Sequence, residues 1–264
     1  MVAQTEKFTK NFGIITVPAV ELPTEDGEPL ESSWHRSEIN LLIESIKMHL
    51  RGRQDYYAGG NMFIYFNLQQ ARRPSYRGPD FFVALGVDGS YPRGAWVVWL
   101  EGGKYPDVIV ELLSPSTAHE DLTTKRELYE SIFRTPEYFC YDPDAHILRG
   151  WRLVDMEYDE IKPNERGWLW SKRLRLWLGL WNGKYLEEDD TWLRFYTKNG
   201  ELVPTFGEFE QKRAEQERQR AEQEHQRAEQ ERQRAEQERQ RAERAEAELA
   251  RLRERLREQD TKLT

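Results

Sequence analysis

Cysteine, long apolar runs and an excess of positive charge are all missing from this sequence. Cys140 is the only cysteine among 264 residues, which excludes an intramolecular disulfide and a cysteine-based zinc cluster. It lies in the apolar run YFCYD, where a buried, inert thiol is expected. No stretch approaches 18 uninterrupted apolar residues, a length of the order needed to cross a bilayer. The opening MVAQTEKFTKNFG also lacks a basic start followed by an apolar segment, so a cytoplasmic, soluble chain with no membrane contact is expected. Neither G-x-x-x-x-G-K nor H-E-x-x-H occurs, which removes the nucleotide-binding loop and the zinc-protease helix. Charge has the wrong sign for unspecific attraction to nucleic acid: residues before Gln211 carry 24 basic and 33 acidic side chains.

Aromatic residues are plentiful. Nine Trp, twelve Tyr and eleven Phe all fall before residue 210, enough for a sizeable core, and the 38% hydrophobic content is low because of the tail. After Phe209 the chain repeats RAEQERQ with a period of seven over residues 213–240, His225 replacing one arginine. With Ala214, Ala221, Ala228, Ala235 and Ala242 at a, the d positions are Glu217, Glu224, Glu231 and Glu238, a poor coiled-coil seam. The register continues into Leu249, Leu256 and Leu263 at a, and into Ala245 and Leu252 at d. High helix propensity and Glu–Arg spacing predict a long helix here, either solitary or self-associating through its last turns into a homodimer.

The stretch from Gly78 to Tyr129 carries the chemistry. PDFFVALGV and PDVIVELL read as buried strands bounded by turn residues, yet Asp80 heads one and Glu111 is embedded in the other. Burying a carboxylate is costly unless it is paired or holds a metal. Two carboxylates on neighbouring strands suit a hard divalent cation such as Mg²⁺. SPST at 114–117 then supplies turn and N-cap residues for a helix over about His119 to Phe133, with Leu122, Leu128, Tyr129, Ile132 and Phe133 on one face. Lys125 falls near the middle of that face, within reach of the two acids, and Asp121 one turn earlier helps to hold it.

This pattern resembles the PD-(D/E)XK nuclease superfamily. The run PDVIVELLSPST, then D-x-x-x-K-x-x-x-Y, then TPEYFCYDP, is similar more narrowly to the Uma-type family of bacterial restriction endonucleases, over roughly residues 15–200. The superfamily lysine stands two residues after the acid, where this chain has Leu113; the Uma-type pattern moves it to the next helix, and Lys125 matches it. The resemblance implies a mixed α/β fold with a restriction-endonuclease-like sheet flanked by helices. It also implies a Mg²⁺- or Mn²⁺-dependent nuclease acting on nucleic acid, DNA foremost. Asp80 and Glu111 would hold the ion with the backbone carbonyl of Leu112, and Lys125 would orient water or neutralise charge on phosphorus. Asp107, four residues before Glu111 and about 13 Å away along the strand, is too far to share that ion.

Further candidates surround this set. Arg72, Arg73 and Arg77, interleaved with Tyr76, form a loop before Asp80 suited to phosphate contact. A helix over Trp34–Leu50, capped by Ser32 or Ser33, buries Ile39, Leu42, Ile43, Ile46 and Leu50 and presents His35 and Glu38 as accessory residues; Asp121 and Tyr129 are two more. NMFIYFN at 61–67 is expected to lead into the sheet, with AWVVWL as a strand between the two acid-bearing ones. The expected domains are an extended leading segment, 1–31, a nuclease-like domain, 32–207, with a β-rich extension at 146–200, and a charged helix, 208–264. Two other functions stay open: a catalytically inactive nuclease fold that binds DNA or protein and assembles through its C-terminal helix, and a scaffold whose business is that helix.

Overall fold

A computed structural model describes residues 32–67 and 78–262. The loop with Arg72, Arg73, Tyr76 and Arg77 lies outside the described residues, as does the leading segment. The chain divides into two compact units between Phe206 and Gly207.

The first unit is mixed α/β. Helix α1 (Ser33–His49) starts at Ser32, whose hydroxyl accepts the His35 N–H at 3.2 Å. Strands β1 (Tyr56–Gly59), β3 (Phe81–Leu85), β5 (Val108–Leu112), β6 (Glu137–Asp142), β7 (Ile147–Val154) and β8 (Glu157–Glu160) form a six-stranded sheet in the order β1-β3-β5-β6-β7-β8. All neighbours are antiparallel except β5 and β6, which are parallel. A parallel pair needs a crossover. Here it is α2 (Ala118–Glu120), a π turn (Asp121–Lys125) and α3 (Arg126–Ser131).

Side chains alternate across this sheet as the pleat requires. One face carries Phe81, Val83, Val108, Val110, Leu112, Phe139 and Tyr141. It packs on Ile39, Leu42 and Ile46 of α1 and on Leu176, Leu178, Leu193 and Phe195 of a three-stranded antiparallel sheet, β9 (Leu169–Ser171), β10 (Leu176–Tyr185) and β11 (Glu188–Tyr196). The other face carries Phe82, Ala84, Ile109, Tyr138 and Cys140, against Tyr129 and Phe133 of the crossover and Trp96. Cys140 is buried, and burial pushes its thiol well above the usual range.

Four expectations are corrected. NMFIYFN does not join the main sheet: only β2 (Ile64–Tyr65) forms, pairing in parallel with β4 (Trp96–Val97), the short remnant of AWVVWL, as a separate two-stranded sheet. β3 and β5 therefore pair directly, and the neighbour on the other side of β3 is β1, from YYAG. β7 and β8, placed by sequence in the extension, belong to the main sheet because each continues its antiparallel hairpin ladder. Ile132 is half exposed because α3 ends at Ser131, so the helical projection no longer applies to it.

Close backbone approach fixes the route into β3. A Cβ on Gly60 would lie 2.2 Å from the Asp80 carbonyl oxygen, and one on Gly78 would lie 1.5 Å from that of Met62. Gly60→Ala is expected to lower stability by about 2 kcal/mol or more, since the obstruction is backbone. Urea unfolding checks this; an unchanged midpoint would contradict the packing.

The second unit is one helix, α4 (Phe206–Lys262), of 57 residues and about 86 Å at 1.5 Å per residue. Its described side chains are exposed or nearly so, including the d-position glutamates and Leu249 and Leu252. Ion pairs at helical spacing run along it, Arg213–Glu217 at 3.2 Å, Arg218–Glu215 at 3.0 Å and Arg239–Glu243 at 3.1 Å.

Candidate active site

The β3–β5 register pairs Phe81 with Val110. One step further along it sets Asp80 opposite Glu111, and opposed residues of an antiparallel pair share a face. Both acids therefore point to the crossover side. They brace each other: the Asp80 N–H donates to Glu111 Oε2 at 3.2 Å, and the Leu112 N–H donates to Asp80 Oδ2 at 2.8 Å. Glu111 is fully buried, and its other oxygen accepts the Tyr129 hydroxyl at 2.8 Å.

Lys125 completes the group from the end of the π turn. Its Nζ lies 3.2 Å from Glu111 Oε2 and 2.6 Å from Asp121 Oδ1, with 14% of the side chain exposed. A π turn takes up more residues than an α turn and recurs at functional positions. Tyr138 on β6 holds this one by donating its hydroxyl to the Asp121 carbonyl at 2.8 Å. Before it, the Ser114 and Thr117 hydroxyls and backbone bond to each other, making SPST a turn rather than a side-chain cap.

The electrostatics follow from burial. Burial pushes the Asp80 and Glu111 carboxyls up, Glu111 strongly, while the Lys125 ammonium works against the rise at both. Burial opposes the ammonium of Lys125, but Glu111, Asp121 and Asp80 together outweigh it and hold its pKa above the ordinary lysine value. Tyr129, raised well above its usual range by burial and then by Glu111, stays a donor. Three carboxylates thus surround one ammonium, a negative excess that a divalent cation would neutralise. Among the described residues no group of three or more His, Cys, Asp or Glu side chains is arranged to hold a metal. Mg²⁺ is commonly held by one or two carboxylates with water completing its shell, and the donor set fits that habit.

A model of the family described as "Putative restriction endonuclease", Uma2, matches residues 18–186. The chain belongs to the Uma2 family. The matched span contains Asp80, Glu111, Asp121, Lys125 and Tyr129, and leaves β11 and α4 outside it. Among solved structures, a putative nuclease belonging to DUF820 from Anabaena variabilis ATCC 29413 is similar at 14% identity and a TM-score of 0.41, covering 55% of this chain and 76% of that one. The comparison with curated proteins finds no match.

The remaining candidates of this Uma2 chain fall elsewhere. Asp107 is held at the far end of β5 by Lys104 at 2.8 Å, by Arg173 and by the Leu85 N–H at 2.7 Å, and takes no part in the site. His35 and Glu38 are not beside the acids, because α1 packs on the opposite face of the sheet. His35 Nδ1 is bonded to the Ser32 hydroxyl at 2.8 Å. Glu38 Oε2 accepts the Leu193 N–H at 3.1 Å, and its Oε1 has no partner among the described residues. The hydrophobic projection of α1 could not tell which face of the sheet the helix covers. Tyr138 was missed altogether, since nothing in the pattern YFCYD marks one tyrosine as a brace for a turn.

Glu38 makes a stability prediction with a definite sign. Burial raises its carboxyl well above the ordinary value, against the pull of the Leu193 N–H and Arg194. A raised folded pKa gives stability that is complete below the unfolded value of 4.5 and is lost as pH rises through the folded one. Glu38→Gln keeps the acceptor for Leu193 and removes the charge. It is expected to gain at least about 1 kcal/mol near pH 8, the worth of one pKa unit, and almost nothing near pH 4. Unfolding curves at both pH values check this, and a destabilised variant near pH 8 would contradict it.

Proposed function

We propose that the protein is a divalent-metal-dependent endonuclease that hydrolyses phosphodiester bonds of nucleic acid, DNA foremost. The observation that carries the reading is the meeting of Asp80, Glu111 and Lys125 at one partly open point of the sheet. Membership of a family described as restriction endonucleases supports the substrate class. Asp80 and Glu111 would hold Mg²⁺ or Mn²⁺ together with the Leu112 carbonyl. When bound, the ion supplies a polarised phosphate and a water of lowered pKa. Lys125, still partly exposed, presents its ammonium to the phosphate and offsets charge that develops there. Tyr129 and the two backbone N–H groups fix the carboxylate orientations, so little reorganisation is needed.

Arg72, Arg73 and Arg77 precede Asp80 in the chain and suit a phosphate-contacting loop, an offset to the acidic balance of the body. A cytoplasmic location and a homodimer formed through the leucine-bearing end of α4 belong to the same proposal. Among the described residues no helix is long and apolar enough to cross a membrane.

A second reading, an inactive nuclease fold that binds and assembles, is favoured by one observation: Lys125 pairs with both Glu111 and Asp121, an arrangement that suits a structural ion-pair network as well. Purified protein with supercoiled plasmid or a single-stranded oligonucleotide, with Mg²⁺ or Mn²⁺, separates the two, beside Asp80→Ala prepared identically. Metal-dependent nicking that the variant loses is expected. No cleavage of either substrate by the wild type would favour the second reading.

A further inference from the structure

We propose that Asp121 is a positioning residue that acts through Lys125, holding its ammonium beside Glu111; the proposal rests on the nuclease reading of this site. Asp121 is itself almost fully buried, at 1% exposure. A buried carboxylate needs a reason, and its ion-pair partner among the described residues is Lys125, 2.6 Å away. Beyond that ion pair, Asp121 Oδ1 has no hydrogen-bond partner among the described residues. Its own backbone is pinned separately, by the Tyr138 hydroxyl on its carbonyl and by its N–H donating to Thr117 O at 3.0 Å.

The arrangement has two parts with different jobs. Lysine has four rotatable side-chain bonds and loses much rotamer freedom when held in one place. Lys125 reaches in from the π turn rather than from the strand of Glu111. Asp121 restrains it from the same π turn, four residues earlier, while the contact to Glu111 at 3.2 Å is longer than the 2.6 Å contact to Asp121. The ammonium is thus tethered on the helix side and free to face the strand side. Asp121 need not touch substrate or ion for this.

Two measurements on the full chain test it. In the first, trace acetylation by acetic anhydride, read by mass spectrometry, compares Lys125 with the exposed Lys198 in the same molecule. Asp121→Asn is expected to raise the relative reactivity of Lys125 about tenfold, because a side chain no longer held by Asp121 samples rotamers that the reagent can reach. In the second, steady-state cleavage and Mn²⁺ binding are measured for Asp121→Asn, Lys125→Met and the double variant. The expected result is a fall in kcat of about 10- to 100-fold for Asp121→Asn, with KM and Mn²⁺ affinity within about twofold of wild type, and no further loss on the Lys125→Met background.

Unchanged Lys125 reactivity would overturn the proposal. So would weakened Mn²⁺ binding in Asp121→Asn, which would make Asp121 a ligand, or an added loss in the double variant, which would give it a role apart from Lys125. Should Asp121→Asn fail to fold, Asp121→Ser takes its place in both arms. If the wild type cleaves nothing, the nuclease reading fails, and the acetylation arm still decides whether Asp121 holds Lys125.

Discussion

Glu111→Gln is expected to lower metal-dependent cleavage by about 10³-fold while leaving the fold intact. The two effects separate for a structural reason. Gln at 111 keeps one oxygen in place of two, so it can still accept either the Tyr129 hydroxyl, now on Oε1, or the Asp80 N–H, now on Oε2, and one of the two bonds that brace the strand ends is lost. It removes the charge that burial already makes costly. The relieved burial of charge offsets part of the lost bond, and Lys125 keeps Asp121 as its partner, so stability is expected to fall by only about 1–2 kcal/mol. What disappears is one of two anionic ligands, and with it the hold on an ion whose contribution is charge stabilisation in a water-poor site. Asp80→Asn is expected to behave alike, since the Leu112 N–H still finds an acceptor. Initial rates of plasmid nicking beside melting curves check both. Full activity in either variant would contradict the site, and lost activity with lost folding would leave the role of the acid with Glu111→Gln and Asp80→Asn measured at lower temperature.

Lys125→Met is expected to have the largest effect on stability. Removing one partner of a buried ion pair strands the other, at a cost of about 3–5 kcal/mol. Here Glu111 and Asp121 lose a shared ammonium that lies 3.2 and 2.6 Å from them. Glu111, already raised by burial, then has no cation to pull it down, and its folded pKa rises further above the unfolded 4.5. With a raised acid, stability is complete below the unfolded pKa and is lost as pH rises through the folded one. The deficit of the variant is therefore expected to be large near pH 8 and to shrink as pH falls toward 4. Urea unfolding in metal-free buffer at several pH values measures it. A deficit independent of pH would mean that the carboxylates are solvated after all.

Much of this is legible in the sequence, for reasons that differ between elements. Asp80 and Glu111 stood out because a charge inside a β-branched run conflicts with its surroundings, and such conflicts collect at functional positions. Lys125 was legible as a charge on an apolar helical face. The hairpin of β6 and β7 carries Pro143 and Asp144 between its two strand-like runs, a turn signal readable in the sequence. Strand pairing was another matter. AWVVWL has every local mark of a strand, yet only two residues pair, and YYAG, with a weaker signature, takes the place beside β3. Partner choice depends on packing between distant segments, and local pattern does not encode it. The same limit explains Glu38, which sequence placed on the right helix and which the layering of the fold carries to the far face of the sheet.

Charge balance also reads differently with the site in view. The acidic body argues against broad attraction to nucleic acid, but three of its carboxylates are gathered around Lys125 rather than spread over the surface. On the proposed reading, such an acidic cluster would attract a divalent ion first, and the ion would then supply positive charge beside the phosphate.

Binding of Mn²⁺ to the full-length protein, followed by titration calorimetry without any nucleic acid, tests the central claim most directly because it needs no knowledge of the substrate. The account predicts saturable binding by the wild type that is lost, or weakened at least about tenfold, in both Asp80→Asn and Glu111→Gln. Equal binding by wild type and variants, or none by the wild type, would contradict it.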